Sequence, residues 1–388
     1  MTKKTILVLH FAGQMPLAGI AWQAVNYVVG LTRLGYDAWY VEDNGVNPYS
    51  PRENALVWDS TFNRGFVKAM MERHGLGHRW AYWDPIKGGS FHGLDRDGLY
   101  ALYAKADAIF NLCGATRLRD EHMRCPIRVY VETDPGYEQI RLYDKDPIAL
   151  DYLGAHTHFF TYGENLGASD CPLPVGETVW HKTRPPVVLD LWQPDFARQP
   201  THYSSVATWQ NKGKDIAHKG QLYQWSKHVN FERFLDLPKR APHARFRLAM
   251  MTPNRKLNAM IASHGWELVD PVPISETMER YAEFIHDSRA EFTVAKDVYV
   301  RARCGWSSDR SVTYLAAGRP VITQGTAADK YVPGGCGLFY FNDWDDILAA
   351  IDAVESDYTR HCRAARDIAE TYFASDRLLR TMTETIGL

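Results

Sequence analysis

The sequence predicts an α/β protein made of two doubly wound domains, and three observations lead there. Short, near-continuous apolar runs alternate with helical patterns through most of the chain. The alternation is interrupted once, by a proline-rich stretch. The 388 residues, 45% of them apolar, suffice for two cores of ordinary size.

TILVLHF, residues 5–11, has the pattern of a strand buried on both faces of a parallel sheet. The loop AGQMPLAGI follows, carrying Gly13 and Gly19, then a helical pattern in which Ala21, Val25, Val28 and Val29 share a face until Gly35 ends it. DAWYVED, 37–43, supplies the second strand, so that strand, glycine loop, helix and strand form the first unit of a doubly wound domain. ADAIFNLCG (106–114), IRVYVETD (127–134) and THFFTYG (157–163) extend the same sheet. The proline-rich stretch KTRPPVVLDLWQPDFARQP, 182–200, is expected to be an extended linker, because the residue before a proline is held out of the helical region.

Beyond it the alternation resumes. YSSVATW (203–209) and ARFRLAM (244–250) read as strands, NRKLNAMIASHG (254–265) as a helix, and SETMERYAEFIHDSRA (275–290) as a second helix with Ser275 as N-cap. The strand EFTVAKD (291–297) follows, then SDRSVTYLAAGRPVITQGT (308–326), a short helix closed by Gly318, an apolar strand and a small-residue turn. Three helical segments end the chain. The expected boundaries are 1–190 for the first domain, 191–370 for the second, and a C-terminal helix, 371–388, packing back toward the first.

Forty-four basic and 46 acidic side chains leave a formal charge of −2, without the basic surplus that drives counterion-release binding to nucleic acid. The six cysteines include no C-x-x-C pair and no signal-peptide pattern precedes the first strand, so reduced thiols in a cytoplasmic protein are expected. No apolar run approaches the ~20 residues of a membrane-spanning helix.

The helix that begins at Ser308, Asp309, Arg310 and Ser311 is the strongest candidate for a binding element. A helix N-terminus presents unpaired amides and a partial positive charge to a phosphate, and an arginine there adds a fork of donors. Gln324, Gly325 and Thr326 would return the chain to the same edge of the sheet. Lys212 and Lys214 in NKGKD follow a strand end, where either amine could neutralise a diphosphate. Glu164 in YGENLG, and Trp225 and His228 in YQWSKH, offer hydrogen-bonding or stacking groups to a cleft. Asp95-Arg96-Asp97 spells D-x-D, a pattern that can hold a divalent cation with a diphosphate, but a helix is expected to follow it. With no His/Cys cluster at zinc spacing, no metal is expected.

Two α/β domains, a proline-rich hinge, and LAAGRPVITQGT followed by VPGGCGLFYFNDWDDILAAI resemble the GT-B fold of nucleotide-sugar-dependent glycosyltransferases. The resemblance implies two Rossmann-like domains facing each other across a cleft. It also implies a nucleotide diphosphate sugar held by the second domain, an acceptor hydroxyl held by the first, hexosyl transfer, and no resident cofactor. VATWQNKGKD stands where such enzymes carry their first strand and a lysine turn, which places Thr208 in the donor site. His10, at the end of the first strand, would be the general base if the reaction inverts, with Glu132 or Asp134 orienting it and Gly13 and Gly19 shaping the acceptor side.

The sequence departs from the E-x7-E spacing of many retaining members, having Gly305 and Thr313 at those positions, and Thr208-Trp209 replaces a frequent Gly-Arg pair. Three other readings stay open. One is a sugar-nucleotide epimerase or hydrolase on the same architecture, and another a non-catalytic sensor. The third is an NAD-dependent oxidoreductase using Glu42 or Asp43, against which the loop spells G-x-x-x-x-x-G and not G-x-G-x-x-G.

Overall fold

The computed structural model of the protein describes residues 3–388. The first domain is an eight-stranded sheet of β1 (Thr5–Leu9), β2 (Asp37–Glu42), β3 (Trp80–Asp84), β4 (Ser90–His92), β5 (Ala108–Leu112), β6 (Ile127–Glu132), β7 (His158–Thr161) and β8 (Trp180–Lys182). Their order is β8-β7-β6-β5-β1-β2-β3-β4, parallel except for the edge strand β4. The second sheet holds β9 (His202–Thr208), β10 (Arg245–Met251), β11 (Glu267–Val269), β12 (Ser288–Thr293), β13 (Val321–Gln324) and β14 (Leu338–Phe341), ordered β11-β10-β9-β12-β13-β14 and parallel throughout. Each sheet reverses its strand order once, between β1 and β5 and between β9 and β12. The protein thus has two doubly wound α/β sheets facing each other.

The apolar runs form central strands because both faces are covered, and every residue of β1 and β5 is buried. Helix α1 (Ala18–Arg33) is buried over far more than one stripe, including Tyr27, Asn26 and Gln23. Its second cover is the C-terminal helix, designated α4 (Ser375–Thr385), which crosses it where Gly30 leaves room for Leu379; a Cβ at 30 would lie 2.5 Å from Leu379 Cδ1. The linker is also tied down, since Val187 N donates to Phe373 O and Ser375 N to Val187 O.

One helix differs from the sequence expectation. The span 275–290 splits, with α2 covering only Met278–His286, capped by Thr277 rather than Ser275. Ser288 begins β12 because it pairs with β9 at His202, and its hydroxyl bonds Ser204 within the sheet. Strand β3, the helix at 61–73 and a hairpin at 216–223 lie in segments without a clear apolar run.

Candidate functional site

A cavity of about 360 Å³ lies between the domains, at the point where the second sheet reverses. Ligands of open parallel sheets collect outside the carboxyl ends of strands at such a reversal. Val206 to Thr208 of β9 form one side, and the first turns of α1 with Gly19 and Gln23 form the wall from the first domain. A helix here designated α3 (Asp309–Ala316) contributes Ser308, Asp309, Arg310 and Thr313. Ser308 is the N-cap residue, and its hydroxyl makes no capping bond, the usual way of pairing first-turn amides.

Arg310 lines the cavity, but each nitrogen of its fork is already bonded within the protein. Its Nε bonds Glu291 Oε1 at 2.5 Å, while the two terminal nitrogens bond Val206 O and Thr293 Oγ1, each at 2.7 Å. Glu291 is fully buried in β12, so the ion pair forms beneath the site and fixes α3 to the sheet. The underpaired cation is Lys227, which the sequence reading passed over between Trp225 and His228. It is buried, lines the cavity, and among the described residues has only Thr293 Oγ1, at 3.4 Å, within reach of its ammonium. Burial, and then Arg310, push its pKa well below the usual lysine value. An anion placed there would restore the charged form.

Lys296, just past β12, also lines the cavity and was likewise missed. It reaches across the domain boundary to Asp134 at 2.5 Å and lies 3.7 Å over the Trp225 ring. Asp134 also accepts from Tyr299 and from Trp225 Nε1, and the neighbouring cations Lys296 and Lys214 hold its pKa well below the usual carboxylate range. It is therefore an interdomain tie, not the partner of His10.

Glu132 is not that partner either. It lies on β6, two strand spacings from β1, about 10 Å, and is bonded by Thr161 and Gln139. His10 itself is fully buried, its Nε2 2.9 Å from Gln23 Oε1, and burial holds its pKa down to about 4. It touches the cavity only through Gln23, which lines the cavity with Asp309. Asp309 is the single carboxylate among the cavity-lining residues, and burial pushes its pKa up to about 7.

Other expected positions divide. Thr208 and Gly19 line the cavity; Ser311 lies behind it, with a buried and unpartnered hydroxyl. Lys212 is exposed, and Lys214 lies over the Tyr137 and Trp225 rings. His228 bonds Ser226 beside Lys227. Gln324 accepts from Ala295 N, Gly325 packs on Asn342, and Thr326 bonds the Trp306 carbonyl. These three therefore support the loop behind the cavity instead of lining it.

Glu164 is paired with Arg184 of the linker, outside the cavity. Gly13 packs against Val67 and Glu42, not toward the cleft. Glu42, the ribose acid of the NAD reading, accepts from Gly13 N and Gln14 N and from the Tyr40 hydroxyl, closing the loop where a dinucleotide would approach. Asp95 of D-x-D is an N-cap bonded to Gly98 N.

The absent glutamate at 305 has a steric cause. Gly305 has φ +80°, and a Cβ there would lie 2.5 Å from the backbone nitrogen of Asn165 in the facing domain. Gly305→Ala is expected to destabilise the protein by about 2 kcal/mol or more and to part the domains. A lower thermal midpoint with a larger radius of gyration in X-ray scattering would show it; an unchanged radius would refute the parting.

No protein-family model matches the chain, and no curated protein matches it. Solved structures do. An alpha-glucosyltransferase in complex with UDP and a 13-mer DNA containing a HMU base superposes with TM-score 0.61 at 8% identity, covering 100% of both chains. Sucrose-phosphate synthase from Thermosynechococcus elongatus gives 0.58 at 10%, covering 99% of this chain and 98% of its own. Anabaena HepE in complex with UDP-glucose gives 0.56 at 13%, covering 98% and 99%. Over its whole length, then, the chain has the GT-B fold.

Proposed function

We propose that the protein is a glycosyltransferase that moves a sugar, a hexose in this reading, from a nucleotide diphosphate sugar to an acceptor hydroxyl. The observation that carries it is Lys227, a buried ammonium with one long contact, beside the Arg310–Glu291 pair and Lys296, at the strand-order reversal of the second domain. That is the place and the charge a diphosphate needs. Solved structures of the same fold hold UDP or UDP-glucose, which supports this chemistry. Lys227, Lys296 and the first amides of α3 would take up charge on the leaving diphosphate, so the reading includes no resident metal or cofactor. The acceptor would enter from the first domain past Gly19 and Gln23. Six unpaired cysteines support a cytoplasmic location. Among the described residues no helix is long and apolar enough to cross a membrane.

Thermal stabilisation and calorimetry with UDP, GDP, ADP, dTDP and NAD test it. A nucleoside diphosphate is expected to bind, and Lys227→Ala to weaken it about 10- to 100-fold, the worth of one or two charge-assisted hydrogen bonds. A response to NAD with none to any nucleoside diphosphate would sink the reading.

A further inference from the structure

In the glycosyltransferase reading, on which this inference rests, a group at the cavity must take the proton of the acceptor hydroxyl. His10 cannot reach it, because its ring is fully buried behind Gln23. We propose that Asp309 is that base and that transfer inverts the anomeric carbon.

The geometry supplies three reasons. Asp309 is the single carboxylate among the lining residues, and it stands where α3 meets α1, between the two domains. Arg310 is bonded to Glu291 and Lys296 to Asp134, and the underpaired Lys227, across the same cavity, is not among the groups that act on the Asp309 carboxyl. Finally, an oriented chain leads to the cavity wall beside the carboxyl. His10 Nε2 lies 2.9 Å from Gln23 Oε1, the Cys113 thiol donates to the same oxygen at 3.2 Å, and Gln23 lines the cavity with Asp309. With both partners on its oxygen, the Gln23 amide nitrogen is left free to donate to a group in the cavity. His10 and Gln23 are then positioning residues.

The titratable groups around Asp309 are Tyr27 on α1, Cys113 after β5, Asp134 after β6, Tyr162 after β7 and Tyr281 on α2. These are neutral or anionic near pH 7; of the cations lining the same cavity, Arg310 and Lys296 are paired with Glu291 and Asp134, and Lys227 does not act on the carboxyl. Burial is the main cause that raises its pKa to about 7, Asp134 adds to it, and Gln23 and the residue's own amide oppose it. A base with that value is half deprotonated at neutrality, which suits general base catalysis.

In the step itself the acceptor O–H bond breaks and its proton passes to an Asp309 oxygen. The acceptor oxygen bonds to the anomeric carbon on the face opposite the diphosphate. The carbon–oxygen bond to the diphosphate breaks, and its electron pair leaves on the diphosphate oxygen near Lys227. The proton then passes from Asp309 to solvent.

The test uses the full chain, the nucleoside diphosphate that binds best in the panel above, and its glucose ester with water as acceptor. Asp309→Asn is expected to bind the nucleoside diphosphate within about threefold of wild type while cleavage falls at least ~100-fold. Wild-type kcat/KM should decline below pH ~7, where the base is protonated, and that decline should vanish in the variant. The sugar released from an α-linked donor should be β by NMR. Gln23→Ala should lower kcat more than it raises KM.

A variant that keeps its rate, or product of retained configuration, overturns the assignment. A wild-type protein that binds nucleotide but cleaves no donor also overturns it, leaving the binding reading intact. Absence of any nucleotide binding sinks that reading instead, and this inference with it.

Discussion

Glu291→Ala is expected to destabilise the protein by about 3–5 kcal/mol, because it leaves the Arg310 guanidinium buried without its counter-charge. Glu291 is fully buried and Arg310 nearly so, and their bond is the one ion pair tying α3 to β12. The remaining partners of Arg310, the Val206 carbonyl and the Thr293 hydroxyl, are neutral. Lys227, whose lowered pKa Glu291 partly opposes, would be pushed further toward its neutral form. For a domain of this size the loss corresponds to a fall in midpoint on the order of 10 °C. Adding Arg310→Met to Glu291→Ala should recover much of the loss, since removing both charges of a buried pair is far cheaper than removing one. Thermal unfolding of the two single variants and the double variant closes the cycle. A loss below ~1 kcal/mol in Glu291→Ala would show that the pair is not what holds the helix.

Glu132→Gln is expected to change the pH dependence of stability. Glu132 is buried on β6, bonded by Thr161 and Gln139, with its second oxygen unpartnered. Burial raises its pKa from 4.5 to about 8. Between these values the folded protein holds a proton that the unfolded chain has released. Glu132 therefore contributes a loss of stability as pH rises from ~4.5 to ~8 and a constant deficit above. Glutamine keeps the shape and the hydrogen bonding without titrating. The variant should gain on wild type across that window, by about 5 kcal/mol at most, since one pKa unit is worth about 1.4 kcal/mol. Chemical unfolding at pH 5, 7 and 9 measures the gain; a constant difference at all three pH values would refute it.

The strands were the most legible part of the sequence. TILVLHF, IRVYVETD and YSSVATW became β1, β6 and β9 with ends moved by one or two residues, because a strand buried on both faces shows as an unbroken apolar run. Strand β3 was not legible. WAYWD has the right residues but lies between short polar segments, and its place beside β2 is set by sheet pairing. The split of 275–290 was hidden for a related reason. Ser288 and Arg289 fit a helix locally, and only pairing with β9 makes them strand.

The site was legible as a location more than as a set of contacts. The N-terminus of α3, the end of β9 and Gly19 do converge on one cavity. The lysine turn at 212–214 pointed to a cationic site nearby, but a hairpin follows it, and Lys227, well beyond it in the chain, is the underpaired cation at the cavity. No local pattern distinguishes a buried lysine from a solvated one.

By itself the sequence determined where apolar runs, glycine turns and helix starts fall, and so the two doubly wound sheets and the edge at which a ligand would collect. Tertiary structure decided which charges are already paired there. Arg310, Lys296, Asp134 and Glu132 all meet partners distant in the chain, while Lys227 and Asp309 keep their reactive groups toward the cavity. The physical reason is that burial and ion pairing act through space, with energies set by neighbours that the chain brings together only on folding.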